Sequence, residues 1–230
     1  MDESSTVLVV TPHPDDAEGG AGGTIARWAR EGRKVVLVVS TNGSNGTSDR
    51  AVRPEELAKT REKEQLDAAK VLGISHVEFL RLPDQGLEDD SKFREKLVRQ
   101  IRVHRPHTVV TIDPNRPYIR HRDHYMTGRV TLDAVFPYAR DHLAFPEHLE
   151  EGLEPHKVRE VYLWGSDDAD YFQDISDTFA TKMKALYRHV SQVGEPTEER
   201  RERAELRYGE AGKAIGVKFA ERFKRIELLR

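Results

Sequence analysis

Five short apolar runs rich in β-branched residues, Thr6–Val10, Lys34–Ser40, His76–Leu80, His107–Ile112 and Glu160–Trp164, recur along the chain. Runs of that length and composition suit buried strands. Between and after them lie helical patterns at Gly20–Glu31, Pro54–Leu72, Lys92–His104, His124–Ala139 and Asp177–Val190. Alternation of the two predicts an α/β fold, a mainly parallel sheet with helices on both faces. Right-handed crossovers then put every strand-to-helix loop on one edge, where open α/β sheets build their sites. The Gly/Asn-rich stretch Thr41–Asp49 falls on that edge and is expected to line a pocket. Pro54-Glu55-Glu56 opens its helix with an early Pro and first-turn acids. Asp141–Lys157 reads as an irregular excursion or lid, Glu195–Tyr208 as a charged helix, and Glu221–Leu229 as a final strand or short helix. No repeat or linker divides the chain, so residues 1–230 are expected to form one domain.

Composition narrows the chemistry. The chain has no cysteine, so any metal must be held by His, Asp or Glu. Net charge is −3, with acids and bases interspersed, which gives no electrostatic case for nucleic acid. No apolar stretch is long enough for a membrane span, and Met-Asp-Glu-Ser-Ser-Thr lacks a signal-peptide profile. The expectation is a cytoplasmic enzyme.

The chemistry-bearing residues are concentrated in two places. Thr11-Pro12-His13-Pro14-Asp15-Asp16-Ala17-Glu18 follows the first strand directly. Acids at a helix start stabilise it by about 0.3–1 kcal/mol each through the dipole, which would account for one of them. Capping leaves His13 unexplained, and it does not need two successive Asp flanked by prolines that stiffen the turn and aim its side chains. With His13 and Asp16 as metal ligands, Asp15 is left free beside the ion, able to take a proton from water. Gly19-Gly20-Ala21-Gly22-Gly23 matches neither a P-loop nor a dinucleotide fingerprint, and reads as close packing of helix on sheet. The second cluster, His121-Arg122-Asp123-His124, follows the fourth strand. His121 and His124 share a helix face, and Asp123 could cap the helix or orient an imidazole. Two imidazoles and a carboxylate with spare acid–base groups are the inventory of a hydrolytic zinc site.

Taken together, Pro12-His13-Pro14-Asp15-Asp16 with Glu18 and Gly22-Gly23, and His121-x-Asp123-His124, resemble the PIG-L/LmbE-type zinc-dependent N-deacetylases. Thr41-Asn42-Gly43, Gly46-Thr47, Arg61-x-x-Glu64, Ala68-Ala69, Leu72-Gly73 and His189-x-Ser191-Gln192 support the match in the same order. The resemblance implies a Rossmann-like hydrolase that removes the acetyl group from an N-acetylglucosamine-type substrate. By position, His13, Asp16 and His124 would hold Zn²⁺, with another divalent ion such as Fe²⁺ as the substitute. Asp15 would be the general base. His121 would stabilise the oxyanion or protonate the leaving amine, with Asp123 tuning it. Arg61 and Asp84 would contact substrate; the plainer readings are an exposed helix Arg paired with Glu62 or Glu64, and a turn Asp. The family's multimeric habit implies a homo-oligomer, a trimer or hexamer.

Two positions depart from the family pattern. Arg122 stands where a Pro is usual, and Ile119 stands where some members place a mobile tyrosine, with Tyr118 beside it. Arg116, Arg120 and Arg122 crowd this region and hint at an anionic or polyhydroxylated substrate, or else face solvent or a subunit interface. The rival functions are a metal phosphoesterase, which usually uses two metals about 3.5–4 Å apart, and a non-catalytic sugar-binding module.

Overall fold

The β-branched runs pair as a seven-stranded sheet in the order β3-β2-β1-β4-β5-β7-β6. These are β1 Thr6–Thr11, β2 Lys34–Thr41, β3 His76–Leu82, β4 Thr108–Ile112, β5 Glu160–Trp164, β6 Tyr171–Asp174 and β7 Ala220–Glu227. The first five strands in that order are parallel, and β7 runs antiparallel between β5 and β6. The computed structural model describes residues 6–118 and 120–228, so Leu229, the last residue of the expected final element, lies outside them.

Both faces of the sheet are covered, which is why the strands read as nearly unbroken apolar runs. Val7, Val9, Val35, Leu37 and Val39 face α1 (Asp16–Arg30), α2 (Pro54–Leu72) and α6 (Phe179–Leu186). The alternate residues Leu8, Val10, Val36 and Val38 pack against α3 (Ser91–His104) and α4 (Arg122–Val135). The chain winds one way from β1 to β2 and the other way to β4, so the carboxyl ends of β1 and β4 flank the topological switch point. The two chemistry-bearing loops emerge at this crevice.

Helix α1 begins at Asp16, four residues before the Gly20 expected, and takes its glycines into its body. A Cβ on Gly20 would lie 2.3 Å from Trp164 Cδ1, and one on Gly23 2.7 Å from Ile175 Cγ2. The glycines thus serve close helix packing. They also open the helix backbone to a buried ion pair. Lys182 Nζ donates to Glu18 O (2.8 Å), Gly19 O (2.8 Å) and Glu221 Oε1 (2.7 Å). Glu221 in turn accepts from Gly23 N, Thr24 N and Thr24 Oγ1. Strand β7 and helix α6 are thereby tied to the helix that starts at the β1–α1 turn.

The remaining elements are the short α5 (Glu147–Glu150), α7 (Val190–Val193) and the charged α8 (Glu198–Lys213). Helix α4 stops at Val135 because Phe136, extended ahead of Pro137, cannot continue it. The pattern at 177–190 divides into α6 and the start of α7, and β6 is an edge strand that periodicity did not signal. Asp141–Lys157 is no lid. Arg102, near the end of α3, donates to the carbonyls of Tyr138, Asp141, Ala144 and Phe145, and His156 contacts Pro106 O. These contacts pin the segment at the amino end of β4, the edge opposite the crevice. No helix of the described residues is long and apolar enough to cross a membrane.

Candidate active site

The β1–α1 turn is held in an unusual shape. Asp15, the residue before α1, sits at φ 110°, a left-handed region costly for a side chain bearing Cβ. Its carboxylate makes no capping hydrogen bond, so it is free for another task. Arg61 supplies the restraint. It is 4 % exposed and donates to Pro14 O (2.9 Å), Gly43 O (3.2 Å) and Asn45 O (3.2 Å), with Nη2 3.7 Å from Asp15 Oδ1. The alternative of a surface Arg paired to a helix neighbour does not occur: Glu62 pairs with Arg81, and Glu64 accepts from Ser191. The loop after β2 buttresses the turn through Arg61, which its Gly43 and Asn45 carbonyls hold.

His13, Asp16, His121 and His124 converge from the ends of β1 and β4. Asp16 Oδ2 is 3.0 Å from His13 Nδ1 and 3.2 Å from His124 Nε2. Ring centroids of His13, His121 and His124 are 4.8–5.3 Å apart. The other nitrogen of His13, Nε2, lies 3.1 Å from both Asp84 Oδ1 and Asp123 Oδ2. Those two carboxylates are already engaged: Asp84 accepts from Asn45 N, and Asp123 from Gln85 N and Leu87 N. Donor atoms that could share a cation therefore include the three histidines, and also His13, Asp84, His121 and Asp123. The two sides of His13 differ in character. Carboxylates already held by backbone amides are the partners that orient a metal-binding imidazole from behind. On the Nδ1 side, the two separations from Asp16 Oδ2, to His13 Nδ1 and to His124 Nε2, are each near the roughly 3.3 Å edge of a tetrahedron with bonds of about 2 Å.

Electrostatics follow from this crowding. Burial opposes a charge on His13, but hydrogen bonds to Asp123, Asp16 and Asp84 outweigh it and raise its pKa to about 11. Burial opposes ionisation of Asp16 too, yet His124 and His13 hold its carboxyl well below the usual range. Asp84 is lowered to about 2, the hydrogen bonds from His13 and Asn45 N overcoming burial. Asp15 goes the other way: burial and the neighbouring Asp16 push it up to about 7 against Arg61 and His189. Two successive carboxylates are thus driven in opposite directions, one a committed anion and the other able to exchange a proton near neutrality.

The family described as "PIG-L: GlcNAc-PI de-N-acetylase" matches residues 8–135, which contain both clusters. The chain belongs to the PIG-L family. Diacetylchitobiose deacetylase of Thermococcus kodakarensis is 36 % identical over 189 residues, 82 % of this chain and 70 % of that protein. The structure of N,N'-diacetylchitobiose deacetylase from Pyrococcus horikoshii, in complex with an inhibitor, superposes with a TM-score of 0.91 at 31 % identity, covering 97 % of this chain and 84 % of that one. A 4-carboxy-2-hydroxymuconate hydratase from Pseudomonas putida shares the fold at 21 % identity, with a TM-score of 0.81 over 98 % of each chain. The fold of this PIG-L protein alone therefore does not specify the reaction.

Around the PIG-L clusters, a cleft of about 520 Å³ opens above Asp15, Asp16 and His124. A recess of about 40 Å³ lies on the other side of His124, bounded by Ile112, Pro114, His121 and Tyr125. His121 precedes α4, and its Nδ1 accepts from Asp123 N at 3.2 Å. Burial, then His13 and His124, lower its pKa, so the ring is neutral with its hydrogen on Nε2. The Asp123 carboxylate is aimed at His13 rather than His121, which it reaches through its own amide and its charge. Arg61 is buried and Asp84 half-buried with its side chain almost inaccessible behind the turn, where they orient groups that face the cleft.

Of the three nearby arginines, Arg122 is turned away, to Leu87 O and Glu88. Arg120 lies over the Tyr125 ring, and Arg116 faces the cleft. Tyr118 is almost wholly exposed, and Ile119 lies outside the described residues. Sequence reasoning did not single out Gln65, whose Nε2 donates to Glu18 Oε1 (2.7 Å) and whose Oε1 faces Asp15 N (3.4 Å). Its position four residues after Arg61 on the same helix face was the available signal.

Proposed function

We propose that this chain is a metal-dependent N-deacetylase that hydrolyses the acetamido group of an N-acetylglucosamine-type substrate. The observation that carries the reading is Asp16 Oδ2 lying within 3.2 Å of both His13 Nδ1 and His124 Nε2, beside an uncommitted Asp15 carboxylate, in a chain of the PIG-L family. Two imidazoles and one carboxylate are the donor set of an open catalytic zinc site, and His13, Asp16 and His124 would hold the ion. Such a cation, Zn²⁺ or Fe²⁺, supplies Lewis acidity at the amide carbonyl and lowers the pKa of water from about 15.7 to about 7.

The protein's own groups do the rest. Asp84 and Asp123 accept the Nε2 hydrogen of His13 and aim its other nitrogen. Asp15 faces the cleft and takes the proton as water attacks the carbonyl carbon. His121 donates its Nε2 hydrogen toward the carbonyl oxygen as negative charge grows there. The proton on Asp15 passes to the amine nitrogen as the C–N bond breaks, leaving acetate and the free amine. Arg61 keeps the Asp15 turn in its left-handed shape throughout.

The test is acetate release from N,N'-diacetylchitobiose and from simple N-acetylglucosaminides, combined with elemental analysis. One divalent ion per chain and stoichiometric acetate are expected, with the ion lost in His13→Ala. Metal uptake should release protons, since the cation and a proton compete for the same nitrogen. A metal-loaded chain that frees no acetate from any such substrate overturns the reading. Two ions per chain would instead favour a phosphoesterase.

A further inference from the structure

The cleft has two chemically different ends. Its floor is acidic, with Asp15 and Asp16, whereas its outer wall is helix α8. Spacings of three and four residues place Arg200, Arg203 and Arg207 on one helix face, and all three line the cleft, with Arg116 contributed by the loop after β4. The acids of α8 fall elsewhere: Glu198, Glu199, Glu202, Glu205 and Glu210 are absent from the lining. Arg201 also lies off the lining, paired with Glu205, so the face of α8 toward the cleft carries cations and no acid. Arg203 pairs with Glu199, and Arg200 donates to the backbone of Glu195. Among the described residues, Arg116, Arg200 and Arg207 have no carboxylate partner. All three residues are exposed, and Arg116 and Arg207 make no hydrogen bond through their guanidinium groups among the described residues.

We propose that the cleft takes N-acetylated amino sugars whose aglycone carries an anionic group, a carboxylate or a phosphate, held by the α8 arginines and Arg116. The inference rests on the deacetylase reading and adds to it the substrate class. The orientation follows from charge. An anion near Asp15 and Asp16 is repelled, so the acetamido group goes to the floor and the anion to the arginine rim. Guanidinium forks suit either oxyanion. Helix α8 lies outside the residues that match the PIG-L family, so this wall is separable from the chemistry.

The experiment compares three N-acetylglucosaminides of one anomeric configuration: the neutral methyl glycoside, the carboxymethyl glycoside and the 1-phosphate. At low ionic strength the anionic pair should exceed the neutral one by roughly tenfold in kcat/KM, mostly through KM, and the advantage should shrink severalfold in about 0.5 M salt. The 1-phosphate and carboxymethyl arms tell phosphate from carboxylate preference. In Arg203→Gln/Arg207→Gln the anionic-to-neutral ratio should fall toward one. The salt series on the unaltered protein needs no variant, so a folding defect cannot mask the answer. Equal kcat/KM for charged and neutral glycosides, or a preference indifferent to salt, overturns the proposal. Failure to release acetate from all three overturns the deacetylase reading itself.

Discussion

Lys182→Met tests whether the buried ion pair behind the β1–α1 turn sets the stability of the candidate site. Lys182 and Glu221 are both essentially inaccessible, and Met keeps the length of the side chain while removing its charge. Glu221 would retain its three donors from α1, but it would lose the ammonium that compensates its charge, as would the carbonyls of Glu18 and Gly19. Removing one partner of a buried pair costs about 3–5 kcal/mol, which for a chain of this size lowers Tm by about 6–20 °C. The sign of the pH dependence follows from the orphaned acid. A buried carboxylate without a cation favours its protonated form, so the variant regains stability as pH falls and the proton binds. Thermal unfolding followed by circular dichroism at about pH 8 and about pH 5 should show the larger deficit at the higher pH. The double variant Lys182→Met/Glu221→Gln, with no stranded charge, should recover more than half of the loss. A fall in Tm below about 2 °C at pH 8, or a deficit that does not change with pH, refutes the reasoning.

Other substitutions probe the site directly. Asp15→Asn should lower turnover by roughly 10²–10⁴ while leaving metal content intact, by elemental analysis and acetate assay. Arg61→Lys keeps a cation but cannot reach three carbonyls with one fork, so kcat should drop at least tenfold and Tm by several degrees; unchanged kinetics would remove Arg61 from any positioning role. Gly19→Ala and Gly20→Ala are neighbours with opposite expectations. Nothing lies within 4 Å of a Cβ at Gly19, so Ala should stabilise the helix by up to about 1 kcal/mol. At Gly20 the clash with Trp164 should cost about 1–3 kcal/mol, read as the denaturant midpoint.

Local signals carried much of this molecule. The five parallel strands follow from β-branched runs, and the crevice at β1 and β4 from their alternation with helices. The two clusters on that edge were legible because prolines and paired acids have no economical structural excuse there. What escaped detection was long-range. Nothing near Lys182 announces a partner 39 residues away, and nothing at Arg61 distinguishes a buried fork from a solvated one. Helix α1 starts four residues before the expected Gly20, inside the acidic stretch read as a turn, and the close packing expected of its glycines is against Trp164 and Ile175, far along the chain. Strand β6 is four half-buried residues on an edge, too short for any period to register. The Asp123 carboxylate was expected to act on His121, yet backbone amides of the β3–α3 loop draw it to His13. The arginine face of α8 was hidden among the acids of the same helix.

The clamp of β7 and α6 onto α1 makes the last third of the polypeptide a partner in holding the turn between β1 and α1 in register. A fragment ending after α4 would keep each proposed ligand but lose the brace beneath them. The same segment also bears the basic rim. Exchanging it between relatives, with Lys182 and Glu221 kept as the common joint, is therefore a way to graft a new appetite onto old machinery.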